Sequence, residues 1–115
     1  MSPECLFCRI VAGEIPAAKV HEDELIVAIR DLHPQAPVHL LLIPREHIAS
    51  ALDLTDDDAP LAGRLMAAAA RLARSEGIAD GGYRLVVNAG PDGGQTVGHL
   101  HVHLLGGRSM QWPPG

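Results

Sequence analysis

Three of the chain's seven histidines fall in the run His99-Leu100-His101-Val102-His103, which is followed by Leu104 and Leu105. In an extended strand, side chains alternate between faces, so the three imidazoles share one surface and the aliphatics the other. Three chemistries fit such a surface. A solvated strand face tolerates histidine as an ordinary polar residue. His-x-His on a strand is good ligand geometry for zinc or copper. A neutral imidazole can also attack phosphorus while neighbouring rings and amides hold the phosphate oxygens. The stretch Gly90-Pro91-Asp92-Gly93-Gly94-Gln95-Thr96-Val97-Gly98 stands directly before the histidines. Its glycines let backbone N–H groups converge on an anion, which places the loop to cradle the phosphate that the histidines would attack.

A second group with chemistry is Cys5-Leu6-Phe7-Cys8. Two cysteines are too few for a disulfide framework and suit a reducing compartment, so the cytoplasm is the expected location. The pair reads either as half a zinc site or as two reduced, half-buried thiols, and a thioredoxin-like role lacks the expected strand-to-helix setting.

The elements that must hold these groups follow from patterning. At 115 residues, 47% of them apolar and 20% charged, the chain can bury a core and is expected to form one compact domain, 1–115. Residues 19–29 alternate β-branched and apolar positions around Glu22, Asp23 and Glu24, which predicts two strands joined by a tight hairpin; residues 38–43 are a third strand. Thr55 and three aspartates supply caps ahead of Leu61, Leu65, Ala68 and Leu72 at helical spacing. One long helix is therefore predicted from about residue 56 to 76, with Pro60 in its first turn and Gly77 ending it. Residues 83–88 and 99–105 read as two further strands. The expected class is α+β, an antiparallel sheet of about five strands with one long helix and a short N-terminal helix.

Formal net charge is −5, and the nine Lys and Arg residues are scattered singly. Nucleic acid, which needs clustered cations, is not an expected partner. A small phosphorylated ligand is compatible, because backbone N–H groups and histidines bind one phosphate without a basic surface. No long apolar run is present, and Pro3, Glu4 and Arg9 interrupt the N-terminus, so neither a membrane span nor a secretion signal is expected.

Residues 99–105 closely resemble the signature of the histidine triad (HIT) superfamily. The resemblance extends through residues 31–37, the Ile43-Pro44-Arg45-Glu46-His47-Ile48 stretch, Val86-Val87-Asn88, Gly93-Gly94-Gln95-Thr96 and the ending from Gly106 to Trp112-Pro113-Pro114-Gly115. Within the superfamily the tail looks like the Hint branch, the purine nucleoside phosphoramidases. Histidine at 103, where the transferase branch has glutamine, points to water as the final acceptor.

The resemblance implies a dimeric HIT-like fold and a purine nucleoside monophosphate derivative as substrate. It makes His101 the nucleophile that forms a nucleotidyl-imidazole, His103 a holder of phosphate oxygens, His99 a support for the triad and His39 a group that orients or polarises the nucleophile. It assigns Asn88, Gln95 and Thr96 to the phosphate or leaving-group side, with amides of Thr96 and Val97 as further donors. Thr96 replaces an expected serine and keeps the hydroxyl. Asp31 would accept the ribose hydroxyls, although on sequence it is equally a turn former before Pro34. Phe7, Ile10, Ile29, Leu32 and Leu41, on sequence ordinary core residues, would make the purine slot. No metal is implied in catalysis. Some bacterial members complete the cysteine pair with two histidines, which implies a structural zinc on Cys5, Cys8, His47 and His99. The tail around Trp112 would reach the partner's active site. Three rivals stay open: a nucleotide-binding or protein-interaction module with incidental turnover, a dinucleoside polyphosphate hydrolase, and a metalloenzyme with the triad as ligands.

Overall fold

The structure is a computed structural model that describes residues 4–115; Pro3, which enters the expectation about a secretion signal, lies outside the described residues. In chain order the elements are α1 (Leu6–Val11), β1 (Lys19–Glu22), β2 (Ile26–Arg30), β3 (Val38–Pro44), α2 (Ala59–Ser75), β4 (Tyr83–Val86) and β5 (Val102–Gly106), with two short 3₁₀ turns at Ala51–Asp53 and Asp56–Asp58. The strands form one sheet in the order β1-β2-β3-β5-β4, every pair antiparallel. The class is α+β, as the patterning predicts.

Local chemistry explains the elements. Asp23 closes the β1–β2 hairpin by accepting hydrogen bonds at Oδ1 from the N–H groups of Leu25 and Ile26, at 2.8 and 2.9 Å. Thr55 and Asp58 cap the second 3₁₀ turn reciprocally, and the α-helix begins only after it. The helical region therefore starts at residue 56, as predicted, but its first turn is 3₁₀. Helix α2 ends where Gly77, at φ +76, turns the chain; Gly77 N–H bonds to Arg74 O and Ile78 N–H to Ala73 O, the paired bonds of a Schellman motif.

The sheet is buried on both faces. Leu65, Ala68, Ala69, Leu72 and Ala73 of α2 pack with Ile26, Ala28, Leu40, Leu42, Leu100, Val102 and Leu104. Phe7, Ile10 and Val11 of α1 cover Val27, Ile29, Leu41 and Ile43 on the other face. The predicted alternation thus holds for Leu100, Val102 and Leu104, which face α2, and for the histidines, which face α1; Leu105 falls on the histidine face, opposite His39.

The predicted strand over 99–105 is nevertheless regular only from Val102, and that over 83–88 stops at Val86. Leu42 pairs with Val102, so continuing the ladder would set Leu100 against Pro44, whose nitrogen carries no hydrogen. The Leu100 N–H turns instead to Ile48 O at 2.6 Å. Among the described residues no helix is long and apolar enough to cross a membrane.

Candidate active site and metal centre

Strands β3 and β5 bring the histidines together, and backbone groups fix which nitrogen of each ring carries hydrogen. A carbonyl can only accept. His101 Nδ1 lies 2.7 Å from His99 O and must therefore donate to it, leaving the Nε2 lone pair free. No partner for that Nε2 occurs among the described residues. His99 Nε2 lies 2.8 Å from Pro44 O, so it donates there and its Nδ1 holds a lone pair.

The His39 ring is set from the opposite end. The Gln35 backbone N–H donates to His39 Nδ1 at 3.0 Å, so the neutral ring carries its hydrogen on Nε2. That Nε2–H reaches His103 Nδ1 at 2.9 Å and, more distantly, Asp31 Oδ2 at 3.4 Å. His103 then carries its own hydrogen on Nε2. His39 thus bears directly on His103, its diagonal neighbour across β3 and β5, and not on His101 as the resemblance implies.

Burial disfavours the charged form of His39, His99 and His103. It pushes His103 down to about 4, with the His101 and His39 rings adding to the effect and Asp31 opposing it. Burial likewise lowers His39, against the pull of Asp31, and lowers His99.

A cleft of about 280 Å³ opens beside His101 and His103. All five residues expected to form the purine slot line it: Phe7, Ile10, Ile29, Leu32 and Leu41. Asp31, Thr96 and Val97 line it as well. Among the described residues, the backbone N–H groups of Thr96 and Val97 make no hydrogen bond within the chain. Asp31 does form the turn that its sequence context suggests, accepting the His33 N–H at 2.8 Å through Oδ1, which leaves Oδ2 toward His39.

Two expected contacts are placed differently. Asn88 lies beyond the end of β4 and does not line the cleft. Gln95 spends its side chain on the protein: Oε1 accepts Gly90 N–H at 3.0 Å, and Nε2 donates to Ala49 O at 2.7 Å and Val97 O at 2.9 Å. It clamps the glycine loop to the segment after His47. Leu6, Arg30 and His33 line the cleft although sequence reasoning did not single them out. The signal for Leu6 was its place between the two cysteines; Arg30 and His33 simply flank Asp31 and Leu32.

Cys5, Cys8, His47 and His99 each offer one ligand atom, all within 4.8 Å of one another. Cys8 Sγ is 3.2 Å from His47 Nδ1 and 3.6 Å from His99 Nδ1, Cys5 Sγ is 3.3 Å from His99 Nδ1, and the two Nδ1 atoms are 3.2 Å apart. Zinc held tetrahedrally at ordinary bond lengths sets such atoms roughly 3.4–3.8 Å apart. The His99 tautomer presents its lone pair to this group, and the Pro44 carbonyl orients the ring from behind. The donor set therefore fits a structural zinc.

Asp31, His39 and His103 also approach one another closely. There, however, His39 points a hydrogen at His103 while the Gln35 amide occupies its other nitrogen, so the group is built as a hydrogen-bond chain. Nor do the three triad rings converge on one ion, since His99 faces the cysteines and His101 points Nδ1–H at a carbonyl.

Comparison with known proteins gives a consistent result. The HIT domain family matches residues 12–110. An uncharacterized HIT-like protein of Synechococcus elongatus is 52% identical over 115 residues, covering 100% of both chains. A 14 kDa zinc-binding protein of Brassica juncea is 45% identical over 114 residues, covering 97% of this chain and 100% of its own. The crystal structure of a HIT family hydrolase from Legionella pneumophila superposes with a TM-score of 0.96 at 55% identity, covering 97% of this chain and 100% of that one. With a histidine run and fold that agree with this match over nearly its whole length, the chain belongs to the HIT domain family.

Proposed function

We propose that this protein is a hydrolase of nucleoside 5′-phosphoramidates that uses His101 to take the nucleotidyl group and water to release it. The observation that carries the reading is the state of His101: Nδ1–H is tied to the His99 carbonyl, and the Nε2 lone pair stands unengaged at a cleft beside the His103 N–H. That is the arrangement of a nucleophile with an electrophilic neighbour.

In this reading the aliphatic slot takes the purine, and Asp31 Oδ2, which the turn does not use, accepts from the ribose hydroxyls of a nucleoside monophosphate derivative. Attack by Nε2 on the α-phosphorus forms an N–P bond and breaks the bond to the amine, which takes a proton from solvent at the open cleft as it leaves. The positive charge that builds on the ring is stabilised at Nδ1–H by the His99 carbonyl, while His103 Nε2–H and the amides of Thr96 and Val97 hold the phosphate oxygens. Water then cleaves the N–P bond, releasing the nucleoside monophosphate and restoring the ring. A bound zinc would supply cross-linking of the N-terminal segment and no chemistry at phosphorus; the zinc-binding Brassica juncea relative supports zinc as the ion.

Histidine at 103 and the Trp112-Pro113-Pro114-Gly115 tail support the Hint branch. A homodimer is part of the proposal: β4 is a sheet edge, Tyr83 on it and Val87 just beyond it are exposed, and Arg84 donates to Gln111 O at 2.8 Å, holding the exposed Trp112 tail beside that edge. Thiolate ligands suit a reducing compartment, the cytoplasm.

The test is turnover of adenosine 5′-phosphoramidate by wild type and His101→Ala, with a base quench to trap a nucleotidyl adduct. Turnover and adduct in wild type alone are expected. A wild type that binds AMP yet hydrolyses nothing would mark a binding module instead.

A further inference from the structure

We infer that the Cys5/Cys8/His47/His99 centre and the nucleotide cleft are coupled, so that zinc and a purine nucleotide each strengthen the binding of the other through α1 and His99. The inference rests on the nucleotide reading above and adds a thermodynamic link between two sites.

Three observations carry it. The first is α1 itself, which has six residues, Leu6–Val11, and is too short to hold its shape alone. It is fixed by what it touches, and it touches both sites: Cys8 and the capping Cys5 belong to the metal group, while Leu6, Phe7 and Ile10 line the cleft. The second is His99, which offers Nδ1 to the metal group and its carbonyl to His101 Nδ1–H. Phe7 packs edge-on against both rings, with centroids 6.0 Å from His99 and 5.0 Å from His101. The third is that Leu6, Thr96 and Val97 line the cleft on one side and a cavity with Cys5 and His47 on the other. Whichever ligand arrives first orders this shared wall, and the second binds to a wall already ordered. Linkage makes the effect reciprocal.

The experiment is the equilibrium partition of zinc between the zinc-loaded wild-type protein and a competing colorimetric chelator, alone, with saturating AMP, and with saturating ribose 5-phosphate. Calorimetry on the same zinc-loaded protein establishes AMP binding. Ribose 5-phosphate controls for weak zinc binding by the phosphate, since it lacks the base that fills the α1 wall. Coupling of ordinary strength predicts that AMP tightens zinc binding about tenfold, while ribose 5-phosphate does not. AMP that binds without shifting the zinc partition would overturn the coupling and leave the nucleotide reading intact. Tightening by ribose 5-phosphate equal to that by AMP would also overturn it, because the effect would not run through the base wall. Failure of AMP to bind at all would remove both.

Discussion

The His103 ring offers a direct test of how the site is held together. Burial pushes its pKa from 6.5 to about 4 in the folded chain. Between those values the unfolded chain binds a proton that the folded chain refuses, so stability rises with pH across the window and is lost as pH falls from 6.5 toward 4. A tenfold difference in proton affinity is worth about 1.4 kcal/mol, and most of the interval from pH 7 to pH 5 lies inside the window, so His103 alone should cost the fold about 2 kcal/mol over that interval. His103→Gln removes the titrating group and retains an amide able to accept from His39 Nε2–H. Urea unfolding followed by far-UV circular dichroism, for both proteins at pH 7 and pH 5 and at one concentration, gives a double difference. Acid effects on the metal ligands are common to both proteins and cancel. The variant should lose about 2 kcal/mol less than wild type on acidification. Equal losses would show that the ring is solvated, and would refute the neutral hydrogen-bond chain from Gln35 through His39 to His103.

Other consequences are open to equally plain measurements. Gly106→Ala places a Cβ 2.5 Å from Ile78 Cδ1, and overpacking of this kind should cost roughly 1–3 kcal/mol, seen as a lower Tm and relieved in part by a second change, Ile78→Val. Leu104→Ala, at a fully buried position on β5 beneath α2, should cost about 2–5 kcal/mol in the same assay. Removing the amide clamp with Gln95→Ala should slow phosphoramidate turnover and leave the metal content of the purified protein unchanged; loss of zinc together with activity would show that the clamp serves the metal centre instead. Arg30→Ala breaks a bidentate pair with Glu76 at 2.8 and 3.0 Å, but the pair is exposed, so thermal melting should register less than about 1 kcal/mol.

Much of this was legible because the relevant periods are short. Alternation over residues 99–105 was enough to sort the histidines toward α1 and Leu100, Val102 and Leu104 toward α2, and the spacing of Leu65, Ala68 and Leu72 was enough to lay α2 on the sheet. The purine slot could be named only through family resemblance, since Phe7, Ile29 and Leu41 are buried apolar residues that no local pattern separates from core. The early end of the ladder at Pro44 was harder to see. It depends on register between β3 and β5, a property of two distant segments that neither shows alone. Gln95 failed for a related reason: Gly90 and Val97 are its neighbours in the loop, but the contact that turns it into a clamp is to Ala49, 46 residues away.

What remained invisible in the sequence was the division of labour among identical side chains. Four histidines of one chemical type take different roles because different backbone groups meet their nitrogens. The Pro44 carbonyl turns the lone pair of His99 toward two thiols, the His99 carbonyl turns that of His101 toward the cleft, and the Gln35 N–H sets His39 to donate to His103. None of those backbone groups depends on a side chain at its own position. The reactive tautomers are thus a product of the fold, and side-chain substitutions at residues 35 and 99 should act differently. Gln35→Ala keeps the amide and should leave the His39 tautomer as it is. His99→Ala keeps the carbonyl that orients His101 but removes a metal ligand, so its first measurable effect should be lost zinc affinity.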